Sequence, residues 1–269
     1  MKAIITAAGY WTRMLPITKT IPKELLPVWN KPVIQYIVEW IVSWGIKDII
    51  IITSQWKESI EQYFDKNYEL EEVLRKKWKK ELLEEINKIK FLANFAFVKQ
   101  KQQLWFAHAI LEAKPWIQED YFLLTVGDSI FDYRIFKDII DIHKQTKKTV
   151  IWLVEVPKEE VYKYWVVKIE NWQIIDMVEK PKVEEAPSNL IMFGVYILPK
   201  KIFNIIEKTP VDPKKWEILL PDSLRLLMQE WEEIYPYITS YKIWDAGTPE
   251  SWLKANIEIF NNKLFNNGS

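Results

Sequence analysis

Close to the N-terminus a short apolar run, Ala3 to Ala8, leads into Gly9, Arg13 and then Lys23. Backbone N–H groups in such a turn can cradle phosphate oxygens, and two cations can neutralise them. The planar fork of Arg13 matches phosphate geometry. An ordinary strand-to-helix turn with a surface Arg is the simpler reading. The neighbouring Pro22-Lys23-Glu24 and Asn30-Lys31-Pro32 turn the expectation towards a triphosphate site. One residue conflicts with it: Trp11 stands where such a loop needs a second glycine.

Further carboxylates and cations could complete that chemistry. Asp128 ends the run Tyr-Phe-Leu-Leu-Thr-Val-Gly-Asp, and Gly127 beside it allows a ligand close approach. A carboxylate just past a buried strand suits a Mg2+ that bridges phosphates, although it could equally cap the following segment. Asp245, before Ala246-Gly247-Thr248-Pro249, has the same two readings. Glu179-Lys180-Pro181 follows a strand-like run, so Lys180 could hold a second phosphate and Glu179 a sugar hydroxyl. Adjacent residues of an extended chain point to opposite sides, so only part of that pair need face a site. His108 has no His or Cys near it and reads as a capping or packing residue; His143 reads as helix surface. No Ser/His/Asp or Cys/His grouping supports covalent catalysis.

The elements that must position these groups follow from hydrophobic periodicity. Strand-like runs are Ala3–Ala7, Asp48–Thr53, Phe95–Lys99, Phe122–Val126, Val150–Val156 and Met192–Leu198. Val33, Ile34, Ile37, Val38 and Ile41 recur at helical spacing, as do Ile60, Tyr63 and Phe64. From Leu70 through Trp78 to Ile89 the same period runs on through a charged segment. This alternation predicts an α/β fold with a Rossmann-like mixed, mostly parallel sheet flanked by helices. Ligands of such sheets bind at the carboxyl ends of the strands. Tyr164 to Ile197 reads as antiparallel, with a hairpin turn at Asn171-Trp172; Pro249 to Phe260 reads as a closing helix and Asn262 to Ser269 as a polar tail.

Composition excludes several classes. Lys plus Arg and Asp plus Glu balance at 37 each, so no global positive field points to nucleic acid or an anionic membrane. There are no cysteines, which removes disulfides and thiolate metal sites and fits a reducing compartment. No apolar run reaches the roughly 18 residues of a membrane span, and Ala3–Ala8 is too short for the core of a signal peptide. A soluble, cytoplasmic protein is expected.

The chain has 15 Trp and only 6 Gly. Average glycine usage of about 7 % would give roughly 19 in this length. The Trp residues stand where glycine chemistry belongs: Asn171-Trp172 occupies a hairpin turn, Ser43-Trp44-Gly45 ends a helix, and Gln55-Trp56, Pro115-Trp116 and Lys215-Trp216 lie in turn-like contexts. Many of these positions are therefore expected to be glycine in the cell, an opal codon being read as Gly. Trp78, on the helical stripe, reads as a core residue, and Trp244 and Trp252 as genuine tryptophans.

Taken together, the motifs resemble the sugar-nucleotide pyrophosphorylases over nearly the whole chain. The family loop A-G-x-G-T-R-x-L-P, then I-P-K-E-x-L-P, is matched by Ala8 to Pro16 and Ile21 to Pro27 except at Trp11. Ser59 to Asp65 and Glu69 to Leu83 look like an insertion of the uridylyltransferase branch, which the otherwise similar thymidylyltransferase branch lacks. Gln100-Lys101 to Ala107-His108-Ala109 is similar to the nucleobase-reading stretch, with Trp105 and Ala107 at glycine positions. Val178 to Pro181, Pro187 to Leu190 and Gly194 match the sugar-binding half, and Trp165 and Trp216 again replace glycines.

The resemblance implies a single nucleotidyltransferase domain over 1–269. Residues 1–130 would form a nucleotide-binding half, 131–250 a sugar-phosphate-binding half, and 250–269 a C-terminal helix and tail. It implies Mg2+-dependent transfer of UMP from UTP to glucose 1-phosphate, within a homo-oligomer. Ala8, Gly9, Trp11, Thr12, Gln100, Trp105 and Gly127 would meet the nucleotide, and Arg13 and Lys23 the leaving pyrophosphate. Asp128 and Asp245 would hold Mg2+. Trp165, Glu179, Gly194 and Glu217 would meet the sugar, and Lys180 its phosphate. Thymidylyl or another nucleotidyl transfer is the nearest alternative. A non-catalytic homologue is the alternative if every Trp is literal, since indoles at 11, 105 and 165 would crowd phosphate, base and sugar.

Overall fold

The computed structural model describes residues 1–9, 12–102, 105–213 and 216–261, with Trp105 described by its backbone alone. Tyr10, Trp11, Lys215 and the 262–269 tail lie outside the described residues. From β1 (Ala3–Thr6) the chain passes through a hairpin, β2 (Pro27–Val28) and β3 (Lys31–Pro32), into α1 (Val33–Ser43). It continues through β4 (Asp48–Thr53), α2 (Glu58–Phe64), α3 (Tyr68–Lys76), α4 (Lys80–Lys90) and β5 (Asn94–Lys99). Then come α5 (Trp105–Leu111), β6 (Tyr121–Val126), β7 (Ser129–Phe131), α6 (Arg134–Thr146) and β8 (Thr149–Glu155). The remainder is β9 (Trp165–Glu170), β10 (Gln173–Glu179), β11 (Leu190–Pro199), α7 (Ile202–Lys208), α8 (Leu220–Gln229), β12 (Ile234–Ile238), β13 (Ile243–Asp245) and α9 (Pro249–Asn261).

Among the described residues nine strands form one sheet in the order β10-β9-β11-β6-β1-β4-β5, with β8 beside β11 and β12 beside β8. The run β5-β4-β1-β6 is parallel, and β11 joins β6 antiparallel. The expected mixed sheet flanked by helices is therefore present. Successive strand residues face opposite sides. Ile5, Ile49 and Ile51 enter the core shared with α1, α6 and α9, whereas Ile4, Ile50 and Ile52 enter the core shared with α5, α7 and α8. With both faces covered, the central strands read as near-continuous apolar runs, which is why they were legible. Among the described residues no helix is long and apolar enough to cross a membrane.

Two expectations are corrected. The stripe from Leu70 to Ile89 is two helices, α3 and α4, and Trp78 between them is 80 % exposed at φ 56°, so it is no core residue. Helical spacing of apolar residues cannot reveal that the backbone reverses hand between them. His143 is buried rather than on the surface, its Nδ1 2.8 Å from the Lys148 carbonyl and its ring against Tyr121. Its pattern misled because polar residues neighbour it, while the buried face of α6 continues through Ile135, Ile139 and Ile140.

Burial lowers the His143 pKa below its ordinary 6.5. The unfolded chain thus binds the proton more tightly than the folded one. Stability present at neutral pH is lost as pH falls through 6.5 towards the lower folded value. Urea unfolding from pH 8 to pH 5 is expected to show that loss, and His143→Gln should remove part of the slope. An unchanged slope would contradict this account.

Candidate active site

The parallel strands end at one edge of the sheet, and that edge delivers the candidate residues. Thr6 of β1 and Val126 of β6 are register partners, so Ala7–Gly9 and Gly127–Asp128 leave the sheet side by side. The Gly127 N–H donates to the Thr6 carbonyl, and a Cβ at 127 would meet Ile5 and the Thr6 carbonyl at 3.2 Å. Gly127 thus permits close approach of two backbones, and it does not itself line the cleft. Gln100, just past β5, is tied by its N–H to the Thr53 carbonyl of β4, and its Nε2 lies 3.3 Å from His108 Nδ1. His108 is accordingly a packing and hydrogen-bonding residue of α5.

Asp245 reaches the same edge by a different route. In the antiparallel pair β7–β13, Asp245 lies opposite Ser129, the neighbour of Asp128. Its carboxylate also accepts the Gly247 N–H at 3.0 Å, and a Cβ at 247 would meet that carboxylate at 2.7 Å. Glycine at 247 therefore lets the turn fold onto Asp245.

Among the described residues two cavities at this edge are lined by the candidate residues and share a wall. A cleft of about 690 Å³ is lined by Thr6, Ala8, Gly9, Thr12, Arg13, Lys23, Gln100, Phe106, Ala109, Asp128, Asp245 and Gly247, among others. A second cavity of about 420 Å³ is lined in part by Tyr164, Trp165, Phe193, Gly194, Glu217 and Ile218. Phe106, Val126, Asp128 and Ser129 line both, so the two spaces adjoin at Asp128. Gly194, at φ 57°, lies against Phe131 and Val126, where a Cβ would come within 3.2 Å of each.

The structure thus brings together Ala8, Gly9, Thr12, Arg13, Lys23, Gln100, Asp128 and Asp245 in one cleft, and Trp165, Gly194 and Glu217 in the other. Glu179 and Lys180 do not line either cavity. Glu179 pairs in register with Trp165, and the Lys180 N–H donates to the Tyr164 carbonyl at 2.9 Å, which sets them at the rim beside two lining residues. Lys180 also has φ 42°, a conformation L residues rarely adopt. Trp11 and the Trp105 side chain lie outside the described residues.

Sequence reasoning missed three charged groups. Lys163 lines the second cavity and bonds Glu160 at 3.0 Å. Beneath the cleft, Glu24 is fully buried and accepts two bonds from Lys57 Nζ, at 2.8 and 3.0 Å. Lys57 Nζ also donates to the Ala7 carbonyl at 2.7 Å, so it ties the end of β1 to the turn carrying Lys23. Next to this pair, Lys23 forms an ion pair with Asp128. Burial pushes the Glu24 carboxyl up and the Lys57 ammonium down, while each opposes the other's shift. The signal for Glu24 was its place beside Lys23; nothing local marks Lys57.

The donor set fits Mg2+. Among the described residues no three His, Cys, Asp or Glu side chains cluster as a self-sufficient metal cage. Mg2+ is commonly held by one or two carboxylates together with substrate phosphates, and Asp128 and Asp245 supply two hard oxygen donors in one cleft.

A cationic loop and two adjoining cavities at the carboxyl edge of a parallel sheet define an α/β protein of the nucleotide-binding class. The chain belongs to the nucleotidyl transferase family, whose model matches residues 2–262. A Methanocaldococcus jannaschii protein is 48% identical over 263 residues, covering 96% of this chain and 92% of its own. The UTP–glucose-1-phosphate uridylyltransferase of Staphylococcus epidermidis is 40% identical over 264 residues, covering 96% of this chain and 91% of its own. A UTP-bound UGPase from Acinetobacter baumannii superposes with TM-score 0.90 at 34% identity, covering 98% of this chain and 95% of its own.

Proposed function

We propose that the protein transfers UMP from UTP to glucose 1-phosphate, forming UDP-glucose and releasing pyrophosphate. The observation that carries this reading is the junction of the two cavities at Asp128. The relatives' reaction and the UTP-bound neighbour support the choice of substrates. Residues 1–130 form the nucleotide-binding half of one domain and 131–250 the sugar-phosphate half.

A phosphate oxygen of glucose 1-phosphate attacks the α-phosphorus of UTP in line. The new P–O bond forms as the α–β bridge breaks, and pyrophosphate leaves with the bond's electrons. The nucleophile is already anionic, so no general base is required. Positioning and charge neutralisation supply the catalysis. Arg13 and Lys23 hold the leaving pyrophosphate. The Ala8–Gly9 backbone and Gln100 hold the uracil, with Thr12 completing the nucleotide side; Gly127 acts from behind the cleft, by letting the ends of β1 and β6 approach. Asp128 and Asp245 would hold Mg2+, which when bound would neutralise phosphate charge. Glu179 and Glu217 bind glucose hydroxyls between Trp165 and Gly194, and Lys180 reaches from the rim to the sugar phosphate.

Lys180→Ala is expected to raise KM for glucose 1-phosphate by about 10- to 100-fold, the loss of one charge-assisted hydrogen bond, with KM for UTP little changed. Steady-state kinetics with each substrate varied checks this, and equal effects on both would contradict the assignment. Competition among nucleoside triphosphates separates uridylyl from thymidylyl transfer.

The reaction is placed in the cytoplasm, which the absence of cysteine fits. A homo-oligomer is supported by the exposed apolar row Leu253, Ile257 and Phe260 on α9. Sedimentation velocity tests that assembly.

A further inference from the structure

Eight of the 15 tryptophans fall into two kinds by their backbone and surroundings. Among the described residues nine non-glycine residues have positive φ, and six of them are tryptophan: Trp29, Trp56, Trp78, Trp172, Trp216 and Trp231, at φ between 54° and 73°. Trp56, Trp78, Trp172, Trp216 and Trp231 are 69 to 93 % exposed, so the indoles gain no burial that would offset the backbone strain. The three other positive-φ residues are Lys147, Asn171 and Lys180.

The motifs around these positions are ones that take glycine, and the chain contains its own control. Helix α1 ends in a Schellman motif: Gly45, at φ 90°, donates to the Val42 carbonyl, and Ile46 donates to the Ile41 carbonyl. Helix α3 ends in the same pair of bonds, from Trp78 to the Arg75 carbonyl and from Lys79 to the Leu74 carbonyl. So does α8, from Trp231 to the Met228 carbonyl and from Glu232 to the Leu227 carbonyl. One position in the motif is glycine once and tryptophan twice. The hairpin between β9 and β10 turns at Asn171 and Trp172, both at positive φ, where Asn-Gly is the favoured type I′ pair. Trp29 opens the two-residue turn between β2 and β3, at the position where a type II′ turn takes glycine.

Trp244 and Trp252 behave differently. Neither has positive φ; Trp244 is buried in the core, and the Trp252 indole N–H donates to the Pro27 carbonyl at 2.8 Å. These are uses of an indole that glycine cannot replace.

We propose that positions 29, 56, 78, 172, 216 and 231 are encoded by UGA and read as glycine in the organism that carries the gene, while Trp244 and Trp252 are encoded by UGG and are tryptophan. The assignment is independent of the reaction proposed above. It also removes an exposed indole one residue before Glu217, which lines the second cavity.

The test has two readouts. The gene's codons are read first: TGA is expected at the six positions and TGG at 244 and 252. TGG at the six positions would overturn the proposal. Peptides of the protein recovered from its own cells are then sequenced by tandem mass spectrometry. Each peptide is expected to be lighter, at each of the six positions, by the difference between a tryptophan and a glycine residue, with full tryptophan mass at 244 and 252. Tryptophan at the TGA positions would overturn it.

Discussion

Asp128→Asn is expected to slow pyrophosphate release from UTP and glucose 1-phosphate by about 100- to 1,000-fold, the usual cost of removing one preorganised electrostatic group from a reacting centre. Three observations set that expectation. Asp128 is the one carboxylate lining both cavities, among the described residues. It is the ion-pair partner of Lys23, which lines the larger cleft. It is also the carboxylate nearest in the chain to Ser129, the register partner of Asp245. Asparagine keeps the shape and removes the charge. The Lys23 ammonium then loses its anionic neighbour, and the proposed Mg2+ site loses half its protein charge. The loss should fall mainly on kcat, because in the proposed reaction the group acts where the two substrates meet. A loss under tenfold, with the variant folded by circular dichroism, would show that Asp128 is not central to the reaction.

The second large effect concerns the buried pair under the loop. Lys57→Met and Glu24→Gln are each expected to destabilise the fold by about 3–5 kcal/mol, because each leaves a buried charge without its partner. The double variant should recover much of that loss. Glu24 is fully buried, and Lys57 bonds both its carboxylate and the Ala7 carbonyl. In Lys57→Met the opposing charge on Glu24 is gone, so its already raised carboxyl pKa rises further. The folded state then holds a proton that the unfolded state releases. Stability of this variant should therefore fall as pH rises from the ordinary carboxylate value, 4.5, towards the raised one. Urea unfolding of both single variants and the double variant between pH 4 and 8 checks the sum and the sign. Additive losses in the double variant would mean that the two groups act separately.

Particular elements show why parts of this molecule were legible. The central strands Asp48–Thr53 and Tyr121–Val126 are near-continuous apolar runs because helices cover both faces of the sheet. That Gly9, Arg13 and Lys23 share one cleft was legible because they lie close together in sequence. Trp172 was found because hairpin turns carry their own two-residue signature. The failures have equally local causes. Apolar spacing carried the helix across Trp78, since periodicity reports side-chain direction and not the sign of φ. His143 was misplaced because the face a helix buries is set by what packs on it, here including Tyr121.

The sequence by itself determined the alternation of strands and helices, the loop that bears the cations, the acidic residues at strand ends, and the imbalance between tryptophan and glycine. All of these are short-range properties: residue type, period and turn preference. Only the tertiary structure decided that Lys57 lies on Glu24, that Asp245 sits opposite Ser129 and so beside Asp128, and that two cavities share one wall. It also decided which tryptophans occupy left-handed backbone and which use an indole. The physical reason is that these facts depend on strand register and on the approach of distant backbones, which no local pattern of residues encodes.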